Sequence, residues 1–518
     1  MPKFGRQIII SIIGLALLLA VVPVFAQDGD ITLVPYSSEA FGTQGLQPEG
    51  WTQVAPGIVR RGNSATDIVL VAQQAAPISQ EQLLTALLPQ LGLSEVPDVV
   101  ETIETGDFSW SVYHVEVPAG SMTIVVDVAL AEADGKSYVI LLQADSEEYA
   151  ALHEAIFLPV VNALAPLAVS SAPPADAPYT EEDVTFTNGD ITLAGTLTLP
   201  EGDGPFPAVV LITGSGGQDR NESLPSVSEL QPFRIIADAL ARVGVAVLRY
   251  DDRGIGESTG DYAAANLTDF AGDADAGVQY LLGRAEINPA QVGLIGHSEG
   301  AIVAPMVALQ DPDVAFIVAL AGTATSGLNV LTQQEIDILA VEGATDEQIS
   351  RKQAQQAVLM PLIEAGDWTA LETLIPELIR EEVATMPEDQ QAALGDLDAL
   401  IEKQVADSLA IYQSPWYQQF IHHNPADDWA QTTIPVLGVF GSLDMQVNAA
   451  VNAPLMEAAL TQAGNTDFEI VTVPNMNHLL QQAETGSISE YATLEPVLHP
   501  DLLPLVIDWL GAHVTVNQ

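Results

Sequence analysis

The five residues Gly296-His297-Ser298-Glu299-Gly300 constrain this chain more than any other stretch. They follow a short apolar run, Val292 to Ile295, and open a small-residue segment that begins Ala301-Ile302-Val303-Ala304. That context reads as strand, sharp turn, helix. A turn this tight strains the serine backbone, and side chains at the two glycine positions would collide with neighbouring main chain. The strain holds the Ser298 hydroxyl above a sheet edge, where a base and a carbonyl carbon can reach it. The rest of the chain must then supply an acid, a histidine and donors for an oxyanion.

The surrounding sequence has the alternation such a turn needs. Val184 to Thr187 and Ile191 to Leu199 flank Asn188-Gly189-Asp190, a strong hairpin signal. Strand patterns follow at Ala208 to Thr213, Val245 to Tyr250, Val292 to Ile295 and Val314 to Ala321. Helical spacing occupies Phe233 to Val243 and Leu267 to Leu282 between them. Strands separated by helices imply right-handed crossovers and a mostly parallel sheet with helices on both faces. Pro305, inside the helix after the elbow, predicts a kink or local break. From about residue 323 to 431 the alternation stops, and the chain reads as an inserted helical cap, with helices over Asp346 to Glu364, Thr369 to Arg380 and Asp389 to Tyr412. Strands resume at Pro435 to Phe440 and Phe468 to Val473, with helices over Ala449 to Gly464 and Leu502 to His513.

At 518 residues the chain exceeds one ordinary core. Residues 28–165 read as a separate small α+β domain. It has helical leucines at Gln80 to Leu91, strands at Ser109 to Val117, Met122 to Ala131 and Tyr138 to Gln143, and a helix over Ser146 to Leu164. His114 and His153 fall there as lone histidines on regular elements, surface or packed. Residues 166–178, rich in Pro, Ala and Ser, read as a linker, so the larger domain spans 179–518. At the N-terminus, Lys3 and Arg6 precede an apolar run from Ile8 to Val22 and the small residues of Val24-x-Ala26. This is the pattern of a cleaved signal peptide over residues 1–26, and the run is short for a spanning anchor. A secreted protein with no stable membrane insertion after cleavage is expected.

Charge narrows the partners. Fifteen basic residues face 69 acidic ones, a formal net charge of −54. Such a surface repels nucleic acid and anionic membrane. There is no cysteine, which excludes disulfides, thiolate metal sites and a cysteine nucleophile. No metal or organic cofactor is implied, and nothing fixes the oligomeric state.

Ser298 is therefore the candidate nucleophile. His478, in Pro474-Asn475-Met476-Asn477-His478 just after the last strand, is the candidate base. Asp444, in Gly441-Ser442-Leu443-Asp444 after the preceding strand, is the candidate acid. The order Ser, Asp, His fits a serine on this kind of turn. Asp251 and Asp252 precede the serine and read as structural, with Arg253 pairing locally. His297 flanks the nucleophile and reads as packing. Backbone donors for the oxyanion are expected from Glu299 and from the loop Thr213-Gly214-Ser215-Gly216-Gly217, at Ser215 or alternatively Gly216. Gly216 and Trp416 are candidates for contact with substrate, with packing of the cap an equal reading for Trp416.

These stretches together resemble the bacterial serine carboxylesterases of the α/β-hydrolase superfamily, the EstD-like group. The resemblance runs from about Asp183 to Ala512 and rests on Thr213 to Glu222, Arg249 to Gly256, Gly296 to Gly300, Ser414-Pro415-Trp416, Gly441 to Asp444 and Asn477-His478. It implies a Ser298–His478–Asp444 triad, a helical cap and hydrolysis of short acyl esters, with a small-molecule ester as partner. Gly217 stands where a proline is expected, and the N-terminal domain has no counterpart in the resemblance. A serine aminopeptidase of the proline-iminopeptidase type and a thioesterase share the mechanism. A binding protein on an inactive hydrolase fold would share only the scaffold.

Overall fold

The computed structural model describes residues 31–38, 41–61, 67–76, 79–88, 91, 93, 96–106, 108–119, 122–133, 136–167, 176–224, 230–386, 391 and 397–515. The signal-peptide stretch and most of the linker stretch lie outside the described residues.

In the first part of the chain β1 (Leu33–Ser38), β2 (Thr43–Pro48) and β10 (Ala165–Pro166) form a small antiparallel sheet in the order β1-β2-β10. A seven-stranded antiparallel sheet follows the order β3-β4-β5-β9-β8-β7-β6. Its strands are β3 (Thr52–Ala55), β4 (Ile58–Arg60), β5 (Leu70–Ala76), β6 (Val99–Glu104), β7 (Ser109–Ala119), β8 (Met122–Ala133) and β9 (Lys136–Asp145). Leu83, Leu84 and Leu87 of the helix Gln80–Leu87 pack on one face with Leu141, while Ile156, Phe157 and Val160 pack on the other with Trp110 and Ile140. The expected helix over 146–164 is instead Tyr149–Leu152, a wider π turn His153–Phe157 and Leu158–Ala163. Pro159 has no N–H to offer the carbonyl one turn back, which is where the regular ladder gives way.

The second sheet has eight strands in the order β11-β12-β14-β13-β15-β16-β17-β18. They are β11 (Tyr179–Asn188), β12 (Ile191–Pro200), β13 (Phe206–Ile212), β14 (Ala246–Tyr250), β15 (Ile287–His297), β16 (Ile317–Leu320), β17 (Val436–Gly441) and β18 (Phe468–Val473). The hairpin at Asn188–Ile191 is as expected, and β12 alone runs against the others. Alternate residues of β13 bury on opposite faces: Val210 and Ile212 in the core under the helices Leu267–Leu282 and Gly300–Gln310, and Val209 and Leu211 in the core under Pro232–Arg242 and Leu502–His513. Burial on both faces explains why these strands read as continuous apolar runs. The helix Gly300–Gln310 runs through Pro305 without a break, although Pro305 sits at its middle and has no N–H to give the ladder.

Order around β13 places the site. The chain goes from β13 to β14 on one side, then returns across β13 to β15 on the other. At such a reversal the loops leaving the strand ends diverge and open a crevice. Ile212 and Gly296, last paired residues of β13 and β15, lie side by side there. Between β16 and β17 the helices Gly327–Val341, Asp346–Ala365, Trp368–Ala384, Leu397–Tyr412, Pro415–His422 and Pro425–Trp429 form an insertion whose buried face joins the first core.

Candidate active site

The elbow glycines are required by contact. A Cβ at Gly296 would stand 2.2 Å from the Gly300 carbonyl oxygen, and one at Gly300 would stand 2.1 Å from the Ile212 carbonyl oxygen. Both distances are far inside contact range, so the strand-to-helix turn closes only with glycine at each. Ser298 between them takes φ +53°, the left-handed region that a residue with a Cβ rarely adopts. Its N–H donates to the Leu320 carbonyl at 2.9 Å, which ties the strained residue to β16.

The three expected side chains meet. His478 Nε2 lies 3.1 Å from Ser298 Oγ, and His478 Nδ1 lies 2.8 Å from Asp444 Oδ2. Asp444 and His478 are buried, while Ser298 is half-buried. Asp444 Oδ1 accepts from the backbone N–H groups of Gln446 and Val447, each at 2.8 Å, so the carboxylate is held from both oxygens. The loops bearing Asp444 and His478 leave β17 and β18, whose ends pair at Gly441 and Val473. Gly441 brings them together: a Cβ there would meet the Met476 carbonyl at 2.2 Å.

The loop after β13 lies against Ser298. A Cβ built on Gly214 would be 3.4 Å from that of Ser298. Gly214 N–H donates to Glu222 Oε1 at 2.9 Å and Gly216 N–H to Tyr262 Oη at 2.9 Å. Ser215 N–H and Glu299 N–H carry no hydrogen bond among the described residues. Of the two expected alternatives in this loop, Gly216 is thus engaged elsewhere and Ser215 is the one free to donate. Glu299 N–H opens the helix Gly300–Gln310, where the helix field favours negative charge.

Several neighbours differ from the sequence reading. His297 is not mere packing: its Nδ1 lies 2.8 Å from Glu222 Oε1 and its Nε2 lies 2.8 Å from the main-chain oxygen of His478. Arg253 does not pair within its own loop. It makes a two-pronged contact with Asp273 on the helix Leu267–Leu282. Asp251 instead binds Arg220, and Asp252 accepts from Thr213 Oγ1 at 2.7 Å and Gln218 N–H at 2.9 Å, so both are structural as expected. Burial pushes the Asp252 carboxyl well above the usual range. Trp416 does face the elbow, but its indole N–H donates to Glu299 Oε2, and its ring stacks on Phe420 at 5.2 Å. Burial without a nearby cation pushes Glu299 up to about 7, against the Trp416 hydrogen bond that lowers it. His114 and His153 are not lone either: both Nδ1 atoms reach the buried Asp127, at 2.8 and 2.6 Å, and Tyr149 Oη donates to the same carboxylate.

Among the described residues no group of three or more His, Asp or Glu is placed to hold a metal ion, and no helix is long and apolar enough to cross a membrane.

A family model described as "Alpha/beta hydrolase family" matches residues 209–486. The chain is 24% identical over 312 residues to esterase EstD of Thermotoga maritima, covering 60% of this chain and 62% of that protein, less than two thirds of its length. An uncharacterized protein of Mycobacterium tuberculosis is 31% identical over 140 residues, covering 27% of this chain and 45% of that one. Among solved structures, the Pyrococcus furiosus esterase Pf2001 is 16% identical, with a TM-score of 0.41 over 67% of this chain and 97% of that one. A dienelactone hydrolase from Anabaena variabilis is 16% identical, with a TM-score of 0.35 over 65% of this chain and all of that one.

Proposed function

The chain belongs to the alpha/beta hydrolase family, and from that premise we propose that it is a secreted serine carboxylesterase that cleaves short acyl esters through an acyl-enzyme. The observation that carries this reading is the hydrogen-bonded line Ser298–His478–Asp444 beside two unengaged backbone donors. In the proposed cycle His478 Nε2 takes the Ser298 proton as Oγ bonds to the ester carbonyl carbon. Asp444 steadies the resulting imidazolium. The oxyanion lies between the N–H groups of Ser215 and Glu299, each worth about a hundredfold in rate. When the tetrahedral centre collapses, the alkoxide leaves with the proton from His478. Water then repeats the sequence on the acyl-Ser298 ester, and the acid departs as Oγ regains its proton.

The similarity to esterase EstD supports the ester over other acyl substrates. The helices between β16 and β17 act in this reading as the cap over the acyl pocket, with Trp416 at its inner surface. Secretion rests on the pattern of residues 1–26. Turnover of p-nitrophenyl esters of graded chain length, set against amino-acid p-nitroanilides and acyl thioesters, tests the reading. Ester turnover lost in Ser298→Ala is expected. Anilide or thioester turnover in excess of ester turnover replaces it with the peptidase or thioesterase. No turnover of any class leaves an inactive scaffold. Mass spectrometry of protein from the culture medium should find Gln27 as the first residue.

A further inference from the structure

His297 and Glu222 form a second histidine–carboxylate pair one residue from the nucleophile, and the proposed catalytic cycle does not use it. His297 is buried at 5% exposure and Glu222 at 2%. Glu222 holds φ +58°, a strained backbone for a non-glycine residue. Its Oε1 accepts from Gly214 N–H at 2.9 Å and faces His297 Nδ1 at 2.8 Å. His297 Nε2, on the far side of the ring, is 2.8 Å from the His478 carbonyl. The two imidazole rings lie 5.1 Å apart.

The pattern of acceptors fixes where protons go. A main-chain carbonyl only accepts, so Nε2 of His297 carries a proton. Nδ1 faces an oxygen that already accepts from Gly214 N–H. A proton on Nδ1 gives that oxygen two N–H donors, and it makes His297 an imidazolium with an acceptor at each nitrogen.

We infer that the Glu222–His297 ion pair is a charged strut that sets the spacing of the catalytic parts, with His297 doubly protonated at neutral pH. It joins three segments otherwise distant in the chain. Glu222 holds Gly214, next to the oxyanion donor Ser215. His297 adjoins Ser298. The His478 carbonyl belongs to the base itself. Both are positioning residues, since neither reaches the reacting atoms.

The charged groups facing the pair come from every loop around it. Asp444 comes from the end of β17, His478 from the end of β18, and Asp252 faces Glu222 from the end of β14. On the elbow itself Glu299 points away to Trp416. Burial works against charge on His297, but Glu222, the His478 carbonyl and Asp444 outweigh it and hold its titration above the ordinary imidazole range.

The test is nitrogen NMR on the full protein labelled with ¹⁵N-histidine, with His297 assigned by comparison with Glu222→Gln. Wild type at pH 7.5 is expected to show one histidine with both ring nitrogens protonated. Glu222→Gln keeps an acceptor for Gly214 N–H but removes the charge. It should abolish that signature and lower kcat on p-nitrophenyl acetate roughly 10- to 100-fold, as loss of a hydrogen bond to a charged group does, with KM changed by less than about twofold. A wild-type spectrum with a bare nitrogen on every histidine at pH 7.5 overturns the inference, as does a Glu222→Gln variant of unchanged kcat. Should that variant not fold, assignment comes from His297→Gln and the wild-type spectrum decides. The kinetic arm rests on the esterase reading; the spectrum does not, so a protein without esterase turnover would sink that reading and leave the strut standing.

Discussion

The indole N–H of Trp416 donates to Oε2 of Glu299, tying the helical insertion to the residue immediately after Ser298. Glu299 presents its N–H to the site and its carboxyl to the insertion. The carboxyl is buried, and no cation is near enough to stabilise its ionised form, so it titrates near 7 rather than at the 4.5 of a free side chain. The folded state therefore holds this proton more tightly than the unfolded chain. Its favourable contribution is complete below about pH 4.5 and is lost as pH climbs to 7. Glu299→Gln keeps an acceptor for Trp416 and removes the charge. Urea unfolding should show no difference from wild type at pH 4 and a variant more stable by up to about 3 kcal/mol at pH 8. A gap that does not widen with pH would refute this.

Asp444→Asn should spare the fold and remove most of the rate. The asparagine Oδ1 can still accept from Gln446 and Val447, but an amide N–H₂ then faces His478 Nδ1. That forces the imidazole into the tautomer whose Nε2 carries the proton and cannot take one from Ser298. A fall in kcat of about 10⁴ is expected with KM nearly unchanged. A loss under tenfold would remove Asp444 from the mechanism.

Arg253→Ala should be among the most destabilising single changes around the eight-stranded sheet. Arg253 binds both oxygens of Asp273, at 2.7 and 2.8 Å, and Asp273 is 2% exposed. Removing the guanidinium leaves a buried carboxylate with only Asn188 beside it. About 3–5 kcal/mol is expected from denaturant titration. The double change Arg253→Met with Asp273→Leu should recover most of that, because it leaves no buried charge.

Gly300→Ala tests the turn itself. The added methyl would lie 2.1 Å from the Ile212 carbonyl oxygen, which belongs to the central strand and cannot swing aside. A loss of about 1–3 kcal/mol or more and a collapse of ester turnover are expected together. A variant with wild-type stability would mean that the elbow is looser than this contact implies.

The legible part of the site was the part with local signals. Ser298, Asp444 and His478 each follow an apolar strand, and their order along the chain selects them over rival carboxylates and histidines. His297 was misread because its partner Glu222 is 75 residues away and no local pattern marks it. The same holds for His114 and His153, which meet only because Asp127 projects between them from the neighbouring strand. In the fold, strands buried on both faces were readable from their apolar runs. β6 was not, because it is an edge strand on which only Ile103 is even half-buried, so Val99–Glu104 shows no alternation. β1 and β2 are likewise short, with mixed polar and half-buried positions. The pairing of Ser215 over Gly216 as donor depends on Tyr262 Oη, which no spacing rule brings to Gly216.

The helices between residues 327 and 429 leave the sheet from β16 and rejoin it at β17, its immediate hydrogen-bonded neighbour. Register of those two strands, from Ile317 with Val436 to Leu320 with Val439, is set by their own backbones. Closure entropy grows only with the logarithm of excursion length, about 0.6 kcal/mol per doubling, so the mere length of this block costs little. Its packed face does not come free: Ile375, Tyr417, Phe420 and Trp429 are part of the core beneath the sheet. A different block grafted onto the same two strand ends must therefore bring its own apolar face to that core.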